Sequence, residues 1–386
     1  MYLPLKVTHP NITHSKKLFK MLAIKTTESI QNESIFGQLT TLEHEQLLIC
    51  QDKDTGLKAL IGIHNTVLGP ALGGTRLWSY ASEEAAIRDV LRLSRGMTFK
   101  NALAGLNLGG GKAVLIGDPK LKTEAYLRRF GRFIESLGGR YVTAEDVNMK
   151  TADMEYIALE TRHVTGLPKN KGGAGDPSPV TAFGGYMGMK AAAKKAYGSD
   201  SLAGKKIGVQ GVGQVGKYLI NYLVKEGASL FICDIDDKKL QGIAASTGAT
   251  ILEKEEIYGL QMDIYAPCAL GGTLNDHTIE RLTCQVIAGG ANNQLEDENK
   301  HGKMLLEKGI TYAPDFLINA GGVINVGAEY YGVYEEETVF AQTEKIYDTC
   351  LSILNTAEHQ QIPAQEAAIQ AAKARIEAIG KIKLPY

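Results

Sequence analysis

The hydrophobic and polar positions of this chain follow strand and helix periods in alternation. Apolar runs typical of β-strands occur at LLIC and LKALIGIH, and the turn-forming DKDTG between them predicts a hairpin. Ser82 precedes apolar residues at helical spacing, which predicts a capped helix ending near Lys100. The strands KAVLIG, beginning at Lys112, and YVTAEDV flank a second amphipathic helix. Strands that alternate with helices indicate an α/β domain over residues 36–165.

A more regular alternation begins at Lys205. The apolar strands alternate with helical segments, which is typical of a doubly wound parallel sheet, and they read KKIGVQG, SLFICD, DIYAPC, QVIAGGA and ITYAP. We therefore predict a Rossmann-type dinucleotide-binding domain over residues 166–360, with the loop GLPKNKGGAGDPSP at its start as the interdomain hinge. Two helices should follow Glu335 and Pro363, and residues 361–386 should pack back on the first domain. Residues 1–35 form an N-terminal extension of no assigned role.

The composition limits the classes of function that remain. With 386 residues, 44% of them hydrophobic, the chain is long enough for two domains. The 42 basic residues nearly balance the 43 acidic ones, so no overall field favours nucleic acid or an anionic membrane. The cysteines and histidines lack metal-ligand spacing, and no apolar segment reaches the roughly 18 residues of a membrane span. We expect small-molecule chemistry in the cytoplasm without a metal.

A glycine-rich loop provides the first chemical signal. Gly211, Gly213 and Gly216 form G-x-G-x-x-G between an apolar strand and a helix, and Asp234 ends the next strand. This context predicts that pyrophosphate binds at the helix N-terminus and that Asp234 accepts hydrogen bonds from ribose, although such glycines can also merely shape a turn. Because a carboxylate repels a 2′-phosphate, NAD should be preferred to NADP. Four further residues should line the crevice that binds the dinucleotide: Gln214, Val215, Ala266 and Cys268.

Two lysines beside close-packed glycines provide the second signal. Lys100 ends a helix in GMTFKN, Lys112 follows GLNLGGG, and Asp146 lies at a strand end in TAEDVN. If both lysines face one cleft, their like charges and partial desolvation lower the pKa of one of them, which could then act as a base. The other lysine would bind a carboxylate, and Asp146 would pass protons to and from an amine. From spacing alone, solvated lysines and a helix-capping aspartate explain the pattern equally well.

Seven longer runs occur in one order: GPALGGTRLW, GMTFKNALAGLNLGGGK, YVTAEDV, DPSPVTA, IYAPCALGG, GGANNQL and INAGGVINV. Over roughly residues 47–331 they resemble the leucine dehydrogenase branch of the Glu/Leu/Phe/Val amino-acid dehydrogenase family. The resemblance implies reversible NAD-dependent oxidation of an L-amino acid to its 2-oxo acid and ammonia. It also implies an active site in a cleft between two domains, which closes during turnover, and a homo-oligomer that is a dimer or an octamer.

The same resemblance implies roles for individual residues. Lys100 would hold the substrate carboxylate, Lys112 would be the general base that activates water for attack on the imino acid, and Asp146 would shuttle protons at nitrogen. Gly73 and Gly74 would contact the substrate carboxylate. Asn292 or Asn293 would hold the nicotinamide ribose, and Thr181 would hold the nicotinamide carboxamide.

Three apolar residues bear on the choice of substrate. Leu72 matches a position that is lysine in glutamate-specific relatives, and Val323 and Val326 match other positions of the side-chain pocket. An apolar wall argues against glutamate, because a buried unpaired carboxylate is costly. Leucine, isoleucine or valine should fit best, and one methylene is worth only about 1–3 kcal/mol of discrimination. Phenylalanine or tryptophan as substrate and a catalytically idle NAD-binding protein remain as alternatives, and ordinary core packing explains these three residues equally well.

Overall fold

The computed structural model describes residues 34–382. Most of the predicted extension 1–35 therefore lies outside the described residues. The first helix, α1 (Ile35–Thr41), begins where the Ser34 side chain accepts a hydrogen bond from the Gly37 backbone N–H. Strands β1 (Gln46–Asp52) and β2 (Leu57–Asn65) then pair antiparallel, which confirms the predicted hairpin.

Four further strands complete the first sheet: β3 (Ala71–Leu72), β4 (Thr75–Trp78), β5 (Gly109–Ile116) and β6 (Tyr141–Val142). The order is β1-β2-β5-β3-β6, and β4 also pairs with β5. Strand β5 begins at Gly109 rather than at Lys112 as predicted, because the glycines pair with residues of β2 and β3. After α1, the helices of this part are α2 (Glu83–Leu103), α3 (Glu124–Glu135) and α4 (Thr151–Ala158), and a short 3₁₀ turn lies at Pro119–Leu121.

The second sheet is parallel throughout. Its strands are β7 (Lys206–Gln210), β8 (Ser229–Cys233), β9 (Thr250–Ile251), β10 (Ile264–Pro267), β11 (Val286–Ile287) and β12 (Thr311–Tyr312). The order β12-β11-β10-β7-β8-β9 is that of the dinucleotide-binding Rossmann fold, in which the first strand lies at the centre. The predicted α/β architecture with a doubly wound sheet is thus confirmed.

Helices cover both faces of this sheet and continue beyond it. They are α5 (Ser178–Tyr197), α6 (Gln214–Glu226), α7 (Asp237–Thr247), α8 (Asp276–Arg281), α9 (Glu298–Glu307), α10 (Asp315–Ile318), α11 (Gly321–Tyr330), α12 (Glu336–Glu344), α13 (Ile346–Gln360) and α14 (Ala364–Gly380), with 3₁₀ turns at Lys169–Lys171 and Glu256–Gly259. The last segment contains three helices instead of the two predicted, because a turn at Lys345 separates α12 from α13. None of the helices between residues 34 and 382 combines the length and apolar character needed to cross a bilayer.

Contacts between the two parts of the chain fix the position of the cleft. Helix α14 packs on α2, where Ala372 shares an apolar cluster with Phe99 and Ala102. Arg375 of α14 donates hydrogen bonds of 2.8 Å to the Ala102 and Leu106 carbonyl oxygens, at the C-terminal end of α2. The end of α2 that carries Lys100 is therefore held from behind by the last helix of the chain.

The loop predicted as the hinge is also fastened. One carboxylate, that of Glu329 in α11, accepts hydrogen bonds from the backbone N–H groups of Gly166 (3.0 Å), Leu167 (3.1 Å) and Ala174 (2.9 Å). Charge-assisted bonds of this kind are stronger than bonds between neutral groups. The loop from residue 166 to residue 174 therefore follows α11, the helix that also carries Val323 and Val326.

Candidate active site

A cleft of about 640 Å³ lies between the two sheets. Residues from both parts of the chain line it, so the predicted interdomain location is confirmed. The sequence-predicted residues that the structure brings together here are Leu72, Gly73, Gly74, Lys100, Lys112, Asp146, Thr181, Val215, Asn292, Asn293, Val323 and Val326. Among the described residues, no group of three or more His, Cys, Asp or Glu side chains could hold a metal ion.

Backbone packing between glycines places the two lysines in the same cleft. A Cβ atom at Gly73 would lie 1.8 Å from the Gly111 carbonyl oxygen, and one at Gly110 would lie 2.1 Å from the Thr98 nitrogen. Strand β5 therefore approaches both β3 and α2 more closely than any side chain would allow. Lys112 on β5 and Lys100 in the last turn of α2 consequently reach one cavity.

Lys112 forms an ion pair with Asp146. Its Nζ lies 2.8 Å from Asp146 Oδ2, and the lysine is only 6% exposed. Arg76 adds a second cation, with its Nε 3.2 Å from the same oxygen and an Nη atom 3.0 Å from Asp89. Burial alone would raise the pKa of Asp146, but the charges of Lys112 and Arg76 outweigh it and lower the pKa to about 2. Asp146 is therefore anionic at neutral pH.

Lys100 is held across the cleft instead. Its Nζ donates to Asn292 Oδ1 at 3.0 Å, and Asn319 Nδ2 donates to the same oxygen at 2.7 Å. Burial lowers the pKa of Lys100 to about 8, and the charge of Lys112 acts in the same direction, whereas Asp315 and Asp146 oppose it. The lysine whose pKa burial lowers is thus Lys100, which is assigned to the substrate carboxylate, and not the lysine that is assigned as the base.

An apolar wall closes one side of the cavity. Leu72 on β3 is 1% exposed, and Val323 and Val326 lie one turn apart on the same face of α11. Thr181 in the first turn of α5 also lines the cavity, and its hydroxyl donates to the Pro177 carbonyl oxygen at 2.9 Å. The Gly73 backbone N–H donates to the Val142 carbonyl oxygen at 3.1 Å. In this structure, Gly73 therefore contributes close packing rather than a free donor.

The glycine loop fits a dinucleotide. Gly211 has φ 99°, and a Cβ atom at Gly216 would lie 2.1 Å from the Gly211 carbonyl oxygen, so both glycines are needed for the tight turn. At Gly213 a Cβ atom would meet nothing within 4 Å, and this residue begins α6 without a side-chain cap. The N-terminus of α6 is thus open to an anion such as a pyrophosphate. Gln214 is exposed in the first turn, and Val215 reaches the cavity.

The remaining cofactor predictions have different outcomes. Asp234 follows β8, and its carboxylate accepts hydrogen bonds from the backbone N–H groups of Val212 (2.6 Å) and Asp236 (3.0 Å), which fix it beside the glycine loop. Cys268 is half-buried, and its Sγ accepts from the Gly290 N–H at 3.4 Å. Ala266 does not line the crevice as expected. Its side chain is fully buried in the core, because both faces of a parallel sheet are covered by helices.

Sequence reasoning missed several polar residues of the cleft. Arg76 is the arginine of the run GPALGGTRLW, and Asn319 is the first asparagine of the run INAGGVINV. Asp315 is 4% exposed and lines the cavity three residues after β12 ends at Tyr312. Ligand sites of parallel sheets form at the carboxyl ends of strands, and this rule would have identified Asp315.

The Rossmann sheet, the open glycine loop and the lysine-lined cleft define a dehydrogenase that uses a nicotinamide cofactor. Two family descriptions match the chain: "Glu/Leu/Phe/Val dehydrogenase, dimerisation domain" over residues 44–163, and "Glutamate/Leucine/Phenylalanine/Valine dehydrogenase" over residues 231–381. The chain belongs to the Glu/Leu/Phe/Val dehydrogenase family and is an amino-acid dehydrogenase.

Individual relatives agree with this assignment. Leucine dehydrogenase of Thermoactinomyces intermedius is 55% identical over 91% of this chain and 96% of its own length. Phenylalanine dehydrogenase of Bacillus thermotolerans is 45% identical over 94% and 95%, respectively. The crystal structure of L-tryptophan dehydrogenase from Nostoc punctiforme superposes with a TM-score of 0.80 and 46% identity, covering 90% of this chain and all of that one. The identity is thus higher to the leucine enzyme than to the two aromatic ones.

Proposed function

We propose that the protein catalyses the reversible NAD-dependent oxidative deamination of a branched-chain L-amino acid, leucine, isoleucine or valine, to its 2-oxo acid and ammonia. One observation carries the proposal: Lys100, Lys112 and Asp146 share a single cavity with the apolar wall of Leu72 and α11. Charged groups for the amino-acid head and an apolar surface for its side chain are thus combined. The higher identity to leucine dehydrogenase supports the same choice.

We assign a separate role to each of three consecutive segments of the chain. Residues 36–165 form the substrate domain, residues 166–360 form the NAD-binding domain, and the segment 361–386, of which residues 361–382 are described, returns to the first domain. We further propose a homo-oligomer, either a dimer or an octamer. It is supported by the family description of residues 44–163 as a dimerisation domain.

The substrate is held at its carboxylate and oriented by its side chain. NAD held at the glycine loop would supply the acceptor for the hydride that leaves the substrate Cα. Lys100 in its cationic form binds the carboxylate, with Gly74 beside it, and Leu72, Val323 and Val326 surround the side chain. Asn292 or Asn293 and Thr181 hold the nicotinamide end of the cofactor, and Gly211, Gly213 and Gly216 hold its pyrophosphate.

Proton transfer is assigned to Lys112 and Asp146. Lys112 in its neutral form removes a proton from the water that attacks the imino acid and so becomes the cation that pairs with Asp146, and Asp146 passes protons to and from the nitrogen. The 2.8 Å ion pair keeps the two groups in contact, so a proton released by one can be taken up by the other. Arg76 keeps Asp146 oriented and anionic between transfers.

NAD rather than NADP is proposed on the basis of Asp234. Its carboxylate is fixed at the end of β8, beside the glycine loop, where ribose hydroxyls would donate to it and a 2′-phosphate would be repelled. A glutamate substrate would place its second carboxylate against Leu72, which is 1% exposed and offers no partner. The apolar wall therefore supports an apolar amino acid.

An aromatic substrate is the second candidate. It is supported by the similarity to the structure of L-tryptophan dehydrogenase from Nostoc punctiforme. The proposed catalytic residues would be the same for both substrate classes. Only the volume beside Leu72, Val323 and Val326 would decide between an aromatic and a branched-chain side chain. A catalytically idle NAD-binding role is disfavoured, because the lysines and Asp146 are intact and lie in one cavity.

The substitution Lys112→Ala tests the mechanism. We expect turnover of leucine to fall by about 10²–10⁴-fold, which is the typical contribution of a general base. NADH binding, followed by fluorescence, should stay within about twofold, because the glycine loop lies outside the ion pair. The exposed Lys120 provides a matched control, and Lys120→Ala should retain the wild-type rate. A Lys112→Ala enzyme of undiminished rate would show that Lys112 is not the base.

A further inference from the structure

A buried carboxylate on the cofactor side of the cleft has no role in the mechanism described so far. Asp315 begins α10, three residues after the end of β12, and is 4% exposed. Its Oδ2 accepts a hydrogen bond from the Gln294 backbone N–H at 2.8 Å, and its Oδ1 accepts one from the Phe316 N–H at 2.7 Å. Keeping an anion buried in this way is costly unless a nearby positive charge compensates it.

The segment bound by Asp315 is also the segment that Lys100 reaches across the cleft. Asp315 fixes Gln294 through the backbone, and two residues earlier Asn292 Oδ1 accepts from Lys100 Nζ at 3.0 Å. The Gln294 side chain stiffens the segment by donating to the carbonyl oxygens of Gly289 (2.7 Å) and Ala291 (3.0 Å). A chain of short contacts therefore joins the Asp315 carboxylate to the Lys100 ammonium group.

We propose that Asp315 is a positioning residue that keeps Lys100 in its cationic, carboxylate-binding form, through its own charge and through the segment that carries Asn292. The proposal rests on the proposed function, in which Lys100 binds the substrate carboxylate. Asp315 itself contacts neither substrate nor cofactor in this assignment. It acts by making Lys100 ready to bind.

The ionisation of the two groups agrees with this role. Burial lowers the pKa of Lys100 to about 8 and Lys112 lowers it further, while Asp315 and then Asp146 raise it. Burial raises the pKa of Asp315 to about 6 and the charge of Glu298 acts the same way, while Lys100 lowers it. Tyr312 also faces Asp315, and its hydroxyl accepts from the Asp315 N–H at 3.4 Å. Between pH 6 and pH 8 the structure thus holds an anion and a cation across the cleft.

The direction of the pH effect follows from these charges. Above about pH 8 wild-type Lys100 loses its proton, and with it the charge that attracts a carboxylate. Without the Asp315 anion, burial and the charge of Lys112 should lower the pKa of Lys100 further. Lys100 should then lose its proton at lower pH. A nearby opposite charge typically changes a pKa by about 1–3, so a displacement of about one pH unit is expected.

The test uses 4-methylpentanoate, which has the leucine skeleton but no amino group and cannot react. Its dissociation constant with NADH-loaded enzyme is measured by calorimetry from pH 6 to pH 10. In wild type, binding should change little between about pH 7 and pH 8 and should then weaken tenfold per pH unit. In Asp315→Asn this weakening should begin about one pH unit lower, giving about tenfold weaker binding at pH 8.5. Glu296→Gln, which removes an exposed carboxylate from the same cavity wall, should match wild type.

The outcomes separate this inference from the proposed function. Coinciding pH profiles of wild type and Asp315→Asn would overturn the role of Asp315 and leave that of Lys100 intact. If Lys100→Gln binds the probe as tightly as wild type at pH 7, the carboxylate site itself is wrongly assigned.

A measurement on the unmodified enzyme does not depend on the variant folding. The probe brings a carboxylate close to Asp315 and occupies Lys100, so binding should raise the pKa of Asp315. Calorimetry in buffers of different ionisation enthalpy should therefore detect proton uptake near pH 6, in addition to uptake by Lys100 above pH 8. Absence of uptake near pH 6 would overturn the inference.

Discussion

At the scale of single residues, the glycines beside the lysines show how sequence and chemistry are linked. The run GLNLGGGK predicts that the backbone packs closely near Lys112, but not what it packs against. The structure identifies the neighbours as Gly111 against Gly73 and Gly110 against Thr98. The positions of both lysines thus depend on residues that carry no chemistry of their own.

Substitution of Gly73 should expose this dependence. In Gly73→Ala the new Cβ would lie 1.8 Å from the Gly111 carbonyl oxygen, and the backbone has to move. We expect the free energy of unfolding to fall by about 3 kcal/mol or more, measured by urea denaturation at constant protein concentration. Gly96 is the control, because it lies within α2 and a Cβ there meets nothing within 4 Å. Gly96→Ala should instead stabilise by about 0.5–1 kcal/mol, and equal effects of the two substitutions would contradict the packing argument.

Individual polar residues of the site were harder to predict than the glycines. Lys100, Lys112 and Asp146 stand within long runs that resemble a known family, so sequence alone places them together. Asp315 and Asn319 become informative only when strand ends are known to meet, because their partners Gln294 and Asn292 lie about 20 to 30 residues away. The lowered pKa of Lys100 also depends on burial, which no spacing specifies.

At the scale of elements, periodicity predicted the hairpin and the order of strands and helices. Periodicity failed where residues lack side chains and where only a short turn separates two helices. Strand β5 begins within the glycines, which carry no hydrophobic pattern, and α12 and α13 are separated by a single turn at Lys345. Composition marked the loop from residue 166 as an interdomain hinge, but it did not specify that three of the loop's backbone N–H groups bind Glu329.

The fastening of this loop gives a prediction for Glu329→Ala. Each hydrogen bond to a charged acceptor contributes about 1.5–3 kcal/mol, so the amides of Gly166, Leu167 and Ala174 should exchange with deuterium at least about tenfold faster in the variant. Hydrogen exchange followed by mass spectrometry would measure this. Glu337 is exposed in the neighbouring helix α12, and Glu337→Ala should leave the loop unchanged. Unaltered exchange in Glu329→Ala would mean that the carboxylate does not hold the loop.

At the scale of the whole molecule, function arises where two sheets meet. The first sheet carries Lys112 and Leu72, helix α2 carries Lys100, and the second part of the chain supplies the glycine loop and α11. The alternation of strands and helices was sufficient to predict the Rossmann sheet, and the resemblance to a known family implied the cleft. It could not predict how the last helix returns to hold the end of α2 through Arg375, because that contact joins residues more than 260 positions apart in sequence.

The central claim is that this cleft oxidises a branched-chain amino acid with NAD. The most direct measurement is the initial rate of NADH or NADPH formation, followed by absorbance, with L-leucine, L-isoleucine, L-valine, L-phenylalanine, L-tryptophan and L-glutamate, each offered with NAD and with NADP. We expect the three branched-chain substrates with NAD to react fastest. Preference for an aromatic amino acid would contradict the proposed substrate while leaving the catalytic residues in place, and preference for glutamate or absence of turnover with every substrate would contradict the account as a whole.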